Sequence, residues 1–130
     1  MIDDVEYLNH ILEAGRRVRD YTQAGRSSFE SDLLVQDGVV RNLEVIGEAV
    51  KNLSASLRRE HADIPWKRIA VLRDTLIHRY FLVQLDLIWD VVENHLPPLI
   101  VQVEANRAKL DATPQNTSQD KPDSSDAKPT

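Results

Sequence analysis

Apolar residues recur every three or four positions along most of this chain, with charges between them. That is the period of a helix with one face turned to a core. From about Asp3 to Thr22 the stripe is Val5, Leu8, Ile11, Leu12 and Val18. Asp3 and Asp4 suit the positive end of a helix dipole, and Arg16, Arg17 and Arg19 its negative end, so these arginines read as a solvated terminus before they read as a phosphate patch. Tyr21 and a turn at Gly25 close the element. A second helical stretch is predicted from Ser28 to Leu53, with Val39, Leu43, Ile46, Val50 and Leu53 on its apolar face. Ser27 and Glu30 form a capping-box pattern ahead of Phe29 and Leu33. Gly38 is a candidate break or kink, and Gly47 a place where a second backbone can come close.

Ser54 to His61 is a short polar helical piece, with His61 expected in solvent. Asp63-Ile64-Pro65-Trp66 restarts the chain, because proline fits the first turn of a helix, where its missing N–H is not needed. Trp66, Ile69, Ala70, Leu72, Leu76 and Ile77 are the expected buried stripe of the helix that follows. The last long element begins near Gln84 or Leu85 and carries Leu85, Leu87, Ile88, Val91, Val92 and Leu96. Pro97-Pro98 must kink or interrupt it before helix resumes to about Leu110. No stretch alternates with the period of a strand. The expected fold is therefore all-α, a bundle of four to five helices with short connections.

Composition narrows the functional classes. Residues 1–110 make one small domain, and residues 111–130 are a polar tail with no large apolar residue, expected to stay disordered. The net charge of −5 gives no general affinity for nucleic acid, so any such contact must be local. The chain has no cysteine, which excludes disulfides, thiolate metal sites and a cysteine nucleophile. No metal site and no cofactor are expected. No apolar run reaches the roughly 18 residues of a membrane span, and the acidic N-terminus lacks a signal-peptide pattern. A cytoplasmic protein without membrane contact is expected.

The chemistry concentrates in Arg73-Asp74-Thr75-Leu76-Ile77-His78-Arg79-Tyr80. A cation, an imidazole that titrates near neutrality and a phenol held together can bind and process a phosphate. Read without that chemistry, the same residues cap and pack a helix end. Each helical residue turns about 100°, so Arg73 and His78 stand about 140° apart on one ideal helix. Three arrangements bring them together. The helix ends near Ile77 and releases His78, the long arginine reaches around, or two copies share a site across a two-fold axis. Glu48 is either a solvated charge or a partner for Arg73 or His78.

The order Arg, four residues, His, one residue, Tyr resembles the signature of the HEPN superfamily. The surrounding words resemble its HepT branch: Ile46-Gly47-Glu48-Ala49, Ile64-Pro65-Trp66, the octet, Leu87-Ile88-Trp89-Asp90 and Leu96-Pro97-Pro98. The resemblance spans about residues 4 to 105. It implies a HEPN-like bundle that dimerises and a metal-independent endoribonuclease toxin of a type VII-like toxin–antitoxin system, acting on tRNA or mRNA. Arg73 and His78 are then catalytic, paired across the dimer, and Arg79 and Tyr80 bind phosphate. The resemblance further implies an MntA-like nucleotidyltransferase antitoxin that adds AMP to Tyr80. Relatives often carry Asn after the motif arginine, whereas this chain has Asp74, a carboxylate that must pair with a cation or orient His78. Glu48 and Asp74 are thus candidate supports. The competing reading is a non-catalytic helical subunit that binds a minimal nucleotidyltransferase and nucleotide.

Overall fold

The structure is a computed structural model and describes residues 3–78 and 84–112, the last two without their side chains. The first helix, α1 (Asp4–Tyr21), follows from its stripe: Leu8, Ile11, Ala14, Gly15 and Val18 are buried. Asp3 caps it by accepting the Glu6 N–H at 3.1 Å. Thr22 ends it, its hydroxyl donating to the Val18 carbonyl at 2.8 Å. Gly25, at φ 96°, takes the left-handed turn that a side chain would resist and opens α2 (Arg26–Ser31).

The predicted second stretch is two helices. The chain breaks at Asp32, whose side chain accepts the Leu34 and Val35 N–H groups at 3.0 and 3.3 Å and caps α3 (Leu33–Asn52). Gln36 reaches back to the Phe29 and Glu30 carbonyls at the end of α2. No side chain caps α2, so the Ser27 pattern does not act as a box. Replacing Asp32 with alanine should lower stability by about 1 kcal/mol, because two N–H groups lose their acceptor. A urea midpoint that moves down at unchanged m-value checks this. Gly38 does not break α3; its missing side chain leaves room for the Tyr21 ring, 3.0 Å from where a Cβ would stand.

Helix α3 is the central element, packed against α1 on one side and α5 on the other. Ser54 caps the short α4 (Ala55–Glu60) by accepting the Leu57 N–H, and it also bonds both carboxylate oxygens of Asp4, at 2.9 and 2.7 Å. That corner is thereby tied to the start of α1. Helix α5 (Trp66–His78) starts on Trp66, which is buried and donates its indole N–H to the His61 carbonyl at 3.1 Å. Its expected stripe is only partly inside. Trp66 and Leu76 are buried and Ile69, Ala70 and Leu72 half-buried, but Ile77 is 42% exposed; Val71, outside that stripe, is 54% exposed.

The last element is continuous. Helix α6 (Leu85–Asp90) runs into a π turn, Val91–His95, and then into α7 (Leu96–Ala112). The prolines explain the π turn. Pro97 and Pro98 cannot donate to the carbonyls of Glu93 and Asn94. Widening the preceding turn lets the Leu96 N–H reach back five residues, to the Val91 carbonyl, and helix continues without a break. Phe29 from α2 is fully buried against Trp89 of α6, ring centroids 5.5 Å apart. Leu87 turns outward at 48% exposure. The described residues form an all-α bundle of four long helical bodies and two short ones. None of its helices is long and apolar enough to cross a membrane.

Candidate active site around Arg73

The site begins at the closest approach between α3 and α5. A Cβ built on Gly47 would overlap Arg73 Cβ and stand 3.3 Å from its Cα. Only glycine lets the two backbones meet there. The contact fixes where the arginine leaves α5. Its side chain then lies along α3, with Nη2 on Glu48 Oε1 at 2.8 Å and Nη1 on Asp74 Oδ1 at 2.9 Å. Lys51, one turn beyond Glu48, reaches the same Asp74 oxygen at 3.2 Å. Asn52 holds the other Glu48 oxygen at 3.3 Å. Charges therefore alternate in a chain from Glu48 through Arg73 and Asp74 to Lys51.

Within this chain of charges Glu48 is both solvated, at 56% exposure, and paired with Arg73. Asp74 is accommodated between two cations. The hydrogen bond from Arg73, and then that from Lys51, hold the Asp74 carboxyl below the usual carboxylate range. The Asp74 bond in turn raises the Arg73 pKa. A guanidinium has five N–H donors, and the two ion pairs leave each Nη with one further proton for another acceptor. Arg73 Nε is buried and has no hydrogen-bond partner among the described residues. The fork is thus fixed in direction, with anion-binding capacity left over.

A depressed carboxyl pKa has a testable sign. The Asp74 pairing is fully present above the unfolded pKa of about 3.9 and is lost as pH falls through the lower folded value. Carboxyl-carbon NMR titration should give Asp74 a midpoint below that of an exposed aspartate, and Lys51→Ala should move it upward. An unshifted midpoint in both proteins would remove Lys51 from the chain of charges.

Arg73 also borders a cleft of about 320 Å³. Ile77 of α5 and Glu48 of α3 share its lining, together with Arg41 farther up α3 and Tyr7 and His10 from α1. Tyr7 and His10 stack edge to face, ring centroids 5.9 Å apart. His78 is not part of this lining. It is the last residue of α5 and is exposed. Helical geometry persists through His78, so one copy keeps the arginine and the imidazole on different sides of α5. Arg79 and Tyr80 lie outside the described residues.

The structure therefore brings together Arg73, Glu48 and Asp74 of the sequence candidates and leaves His78 apart. It adds Lys51 and Asn52, which helical spacing from Glu48 foreshadows, and Tyr7, His10 and Arg41, which local spacing does not. A larger cleft of about 360 Å³ lies between α3, α5 and the π turn, with apolar walls such as Leu43, Ile69 and Leu99. At its rim His95 and Asp90 pair at 3.1 Å. A hydrogen bond from Asn94, and then that from His95, lowers the Asp90 pKa. This cleft contains neither Arg73 nor His78, whereas Arg73 lines the smaller one.

The described residues define a small all-α protein that fixes an arginine at a cleft and carries an exposed histidine five residues later on the same helix. Residues 11–105 match the family model described as "Ribonuclease HepT-like", and the chain belongs to that family. It is 40% identical over 111 residues to a Methanocaldococcus jannaschii protein named "Gamma-glutamylcyclotransferase and putative RNase"; the match covers 85% of this chain and 50% of that protein. A second protein of that organism, also named an RNase in the same terms, is 38% identical over 85% of this chain and 93% of its own length. The "Probable ribonuclease HepT" of Thermococcus cleftensis is 39% identical over 72% of this chain and 86% of its own. No solved structure matches the chain.

Proposed function

We propose that this chain is a metal-independent endoribonuclease, the toxin of a toxin–antitoxin pair, whose site is completed by a second copy. The observation that carries this reading is the split within α5. Arg73 is clamped at a cleft on one side, and His78 stands exposed at the end of the same helix. Two copies meeting across α5 supply what one cannot. The exposed Val71, on the His78 side of α5, suits burial in such a contact. Family membership supports RNA as the substrate.

The chemistry needs little from the protein. The 2′-hydroxyl of RNA is already next to the scissile phosphate, so proximity is built into the substrate. One His78, neutral, takes the 2′-proton as the 2′-oxygen attacks phosphorus. The other His78, protonated, gives its proton to the 5′-oxygen as the P–O5′ bond breaks. Arg73 stabilises the extra charge on the phosphorane through its remaining Nη protons. Arg79 adds positive potential. The products are a 2′,3′-cyclic phosphate and a 5′-hydroxyl end.

Tyr80, two residues beyond His78, is the proposed acceptor of AMP from a nucleotidyltransferase antitoxin. A phenol carrying nucleotide adds bulk and negative charge where RNA must enter. One observation favours the rival, non-catalytic reading: both ends of the Arg73 fork already hold carboxylates. Expression of the chain without its antitoxin separates the two. Arrested growth that His78→Ala relieves, and a mass increase by AMP that requires Tyr80, support the nuclease toxin. Equal growth of both proteins supports a binding subunit.

A further inference from the structure

The cleft beside Arg73 is built for more than a phosphate. Its charges nearly cancel, since Arg41 and Arg73 are faced by Glu44 and Glu48, at 3.9 and 2.8 Å respectively. A second phosphate would gain little there. Its other surfaces are apolar or aromatic: Val45, Ala49 and the outward-turned Ile77, against the Tyr7–His10 pair. A volume of about 320 Å³ is at the small end of ligand pockets, which run from about 300 to 1,000 Å³, and suits one ring system. Uncharged, flat and attached to a phosphate is the description of a nucleobase.

We infer that this cleft binds the base of a nucleotide flanking the scissile phosphate, with Tyr7 and His10 as its aromatic wall. The inference rests on the ribonuclease reading above and names a subsite for it. With the phosphate on Arg73, the neighbouring base drops into the recess and stacks on an aromatic ring. A base paired in a duplex is stacked on both faces and cannot enter, so the substrate is single-stranded at the cut. Tyr7 and His10 come from α1, far in sequence from the octet, and act by holding substrate. Their loss therefore weakens binding more than it slows chemistry.

The test is steady-state cleavage of a short single-stranded RNA of mixed sequence with one mapped cut. It is compared with the same RNA carrying an abasic residue on one side of that cut or the other. For the unaltered protein, the abasic residue on one side should raise KM about tenfold, the size of one base–aromatic stack, with kcat changed by less than about threefold. Tyr7→Leu and His10→Ala should raise KM for the intact RNA and shrink the abasic penalty to about twofold or less. An abasic penalty that is the same in the unaltered protein and both variants overturns the subsite, as does a fall in kcat alone with KM unmoved. Because Tyr7 is half-buried, Tyr7→Leu can fail to fold; His10 is exposed, and His10→Ala then carries the comparison. If Arg73→Ala abolishes cleavage while the penalties stay equal, the ribonuclease reading stands and only the subsite falls. If the unaltered protein cuts no RNA, both fall.

Discussion

Replacing Arg73 with alanine is expected to slow RNA cleavage by about 10²–10³-fold, the usual loss when one donor to a developing oxyanion is removed. The fold should survive. Arg73 is on the surface side of the α3–α5 contact, its partners Glu48 and Asp74 are 56% and 46% exposed, and such pairs are strongly screened. Helicity and Tm should therefore change little while kcat collapses. Arg73→Lys keeps the charge but loses the planar fork that Glu48 and Asp74 hold in place, so it should restore only a small part of the rate. Full activity in Arg73→Lys would reduce the arginine to a point charge. Full activity in Arg73→Ala would end its role as phosphate clamp. Single-turnover kinetics with a labelled RNA, beside a thermal melt of each variant, give both readings.

The second large effect is expected at Gly47. An alanine there gains about 1 kcal/mol in helix propensity over glycine. Against this, its Cβ would overlap the Cβ of Arg73 and come within 2.7 Å of Cγ. The obstacle is the root of a side chain on a packed helix, which cannot swing away. The two helices must separate, and overpacking of this kind costs about 1–3 kcal/mol. Sterics should win. Gly47→Ala should lower Tm by several degrees, at about 4–8 °C per kcal/mol for a domain of this size. It should also slow cleavage, because the displaced helix carries Arg73. Gly38→Ala is the contrasting case. Its Cβ would meet the edge of the Tyr21 ring, which is 43% exposed and free to turn outward. There the propensity gain should dominate, and Tm should hold or rise. A Gly47→Ala protein as stable and as active as the original would mean that the close helix contact does not position the arginine.

The four long helices were legible because each buries one stripe at helical spacing, and α1 even shows its capping residue, Asp3, in the sequence. The break at Asp32 was not. Leu33 continued the apolar pattern although it is 67% exposed, so the helix expected from about Ser28, which does begin near there at Arg26, was carried through Asp32 without a break. The local signal was present, since aspartate accepting the N–H groups two and three residues ahead is a capping geometry. At Pro97-Pro98 the expected interruption does not occur: the helix runs on through both prolines, and the missing donors are absorbed one turn earlier as a π turn. Ile77 completes the period of α5 and so reads as core, yet it is 42% exposed and lines the cleft instead.

The site divides in the same way. Arg73, Glu48 and Asp74 stand out because the motif words name them, and their ion pairs connect two helices that meet at Gly47. Tyr7 and His10 carried no local signal. They reach the cleft because Leu8 and Ile11, their neighbours on α1, are buried in the core against which α3 packs. Such a placement follows from three-helix packing and from no spacing within one helix.

A shared site predicts that one defective copy disables its partner. Unaltered and His78→Ala chains, carrying different tags, can be mixed and the dimer holding one of each isolated. That dimer has one histidine where the reaction uses two, one as base and one as acid. It should cut RNA at less than about a tenth of the rate of the unaltered dimer, the loss expected when one proton-transfer group is missing. A mixed dimer, verified by mass, that keeps half of the unaltered rate would contradict a site assembled from two copies.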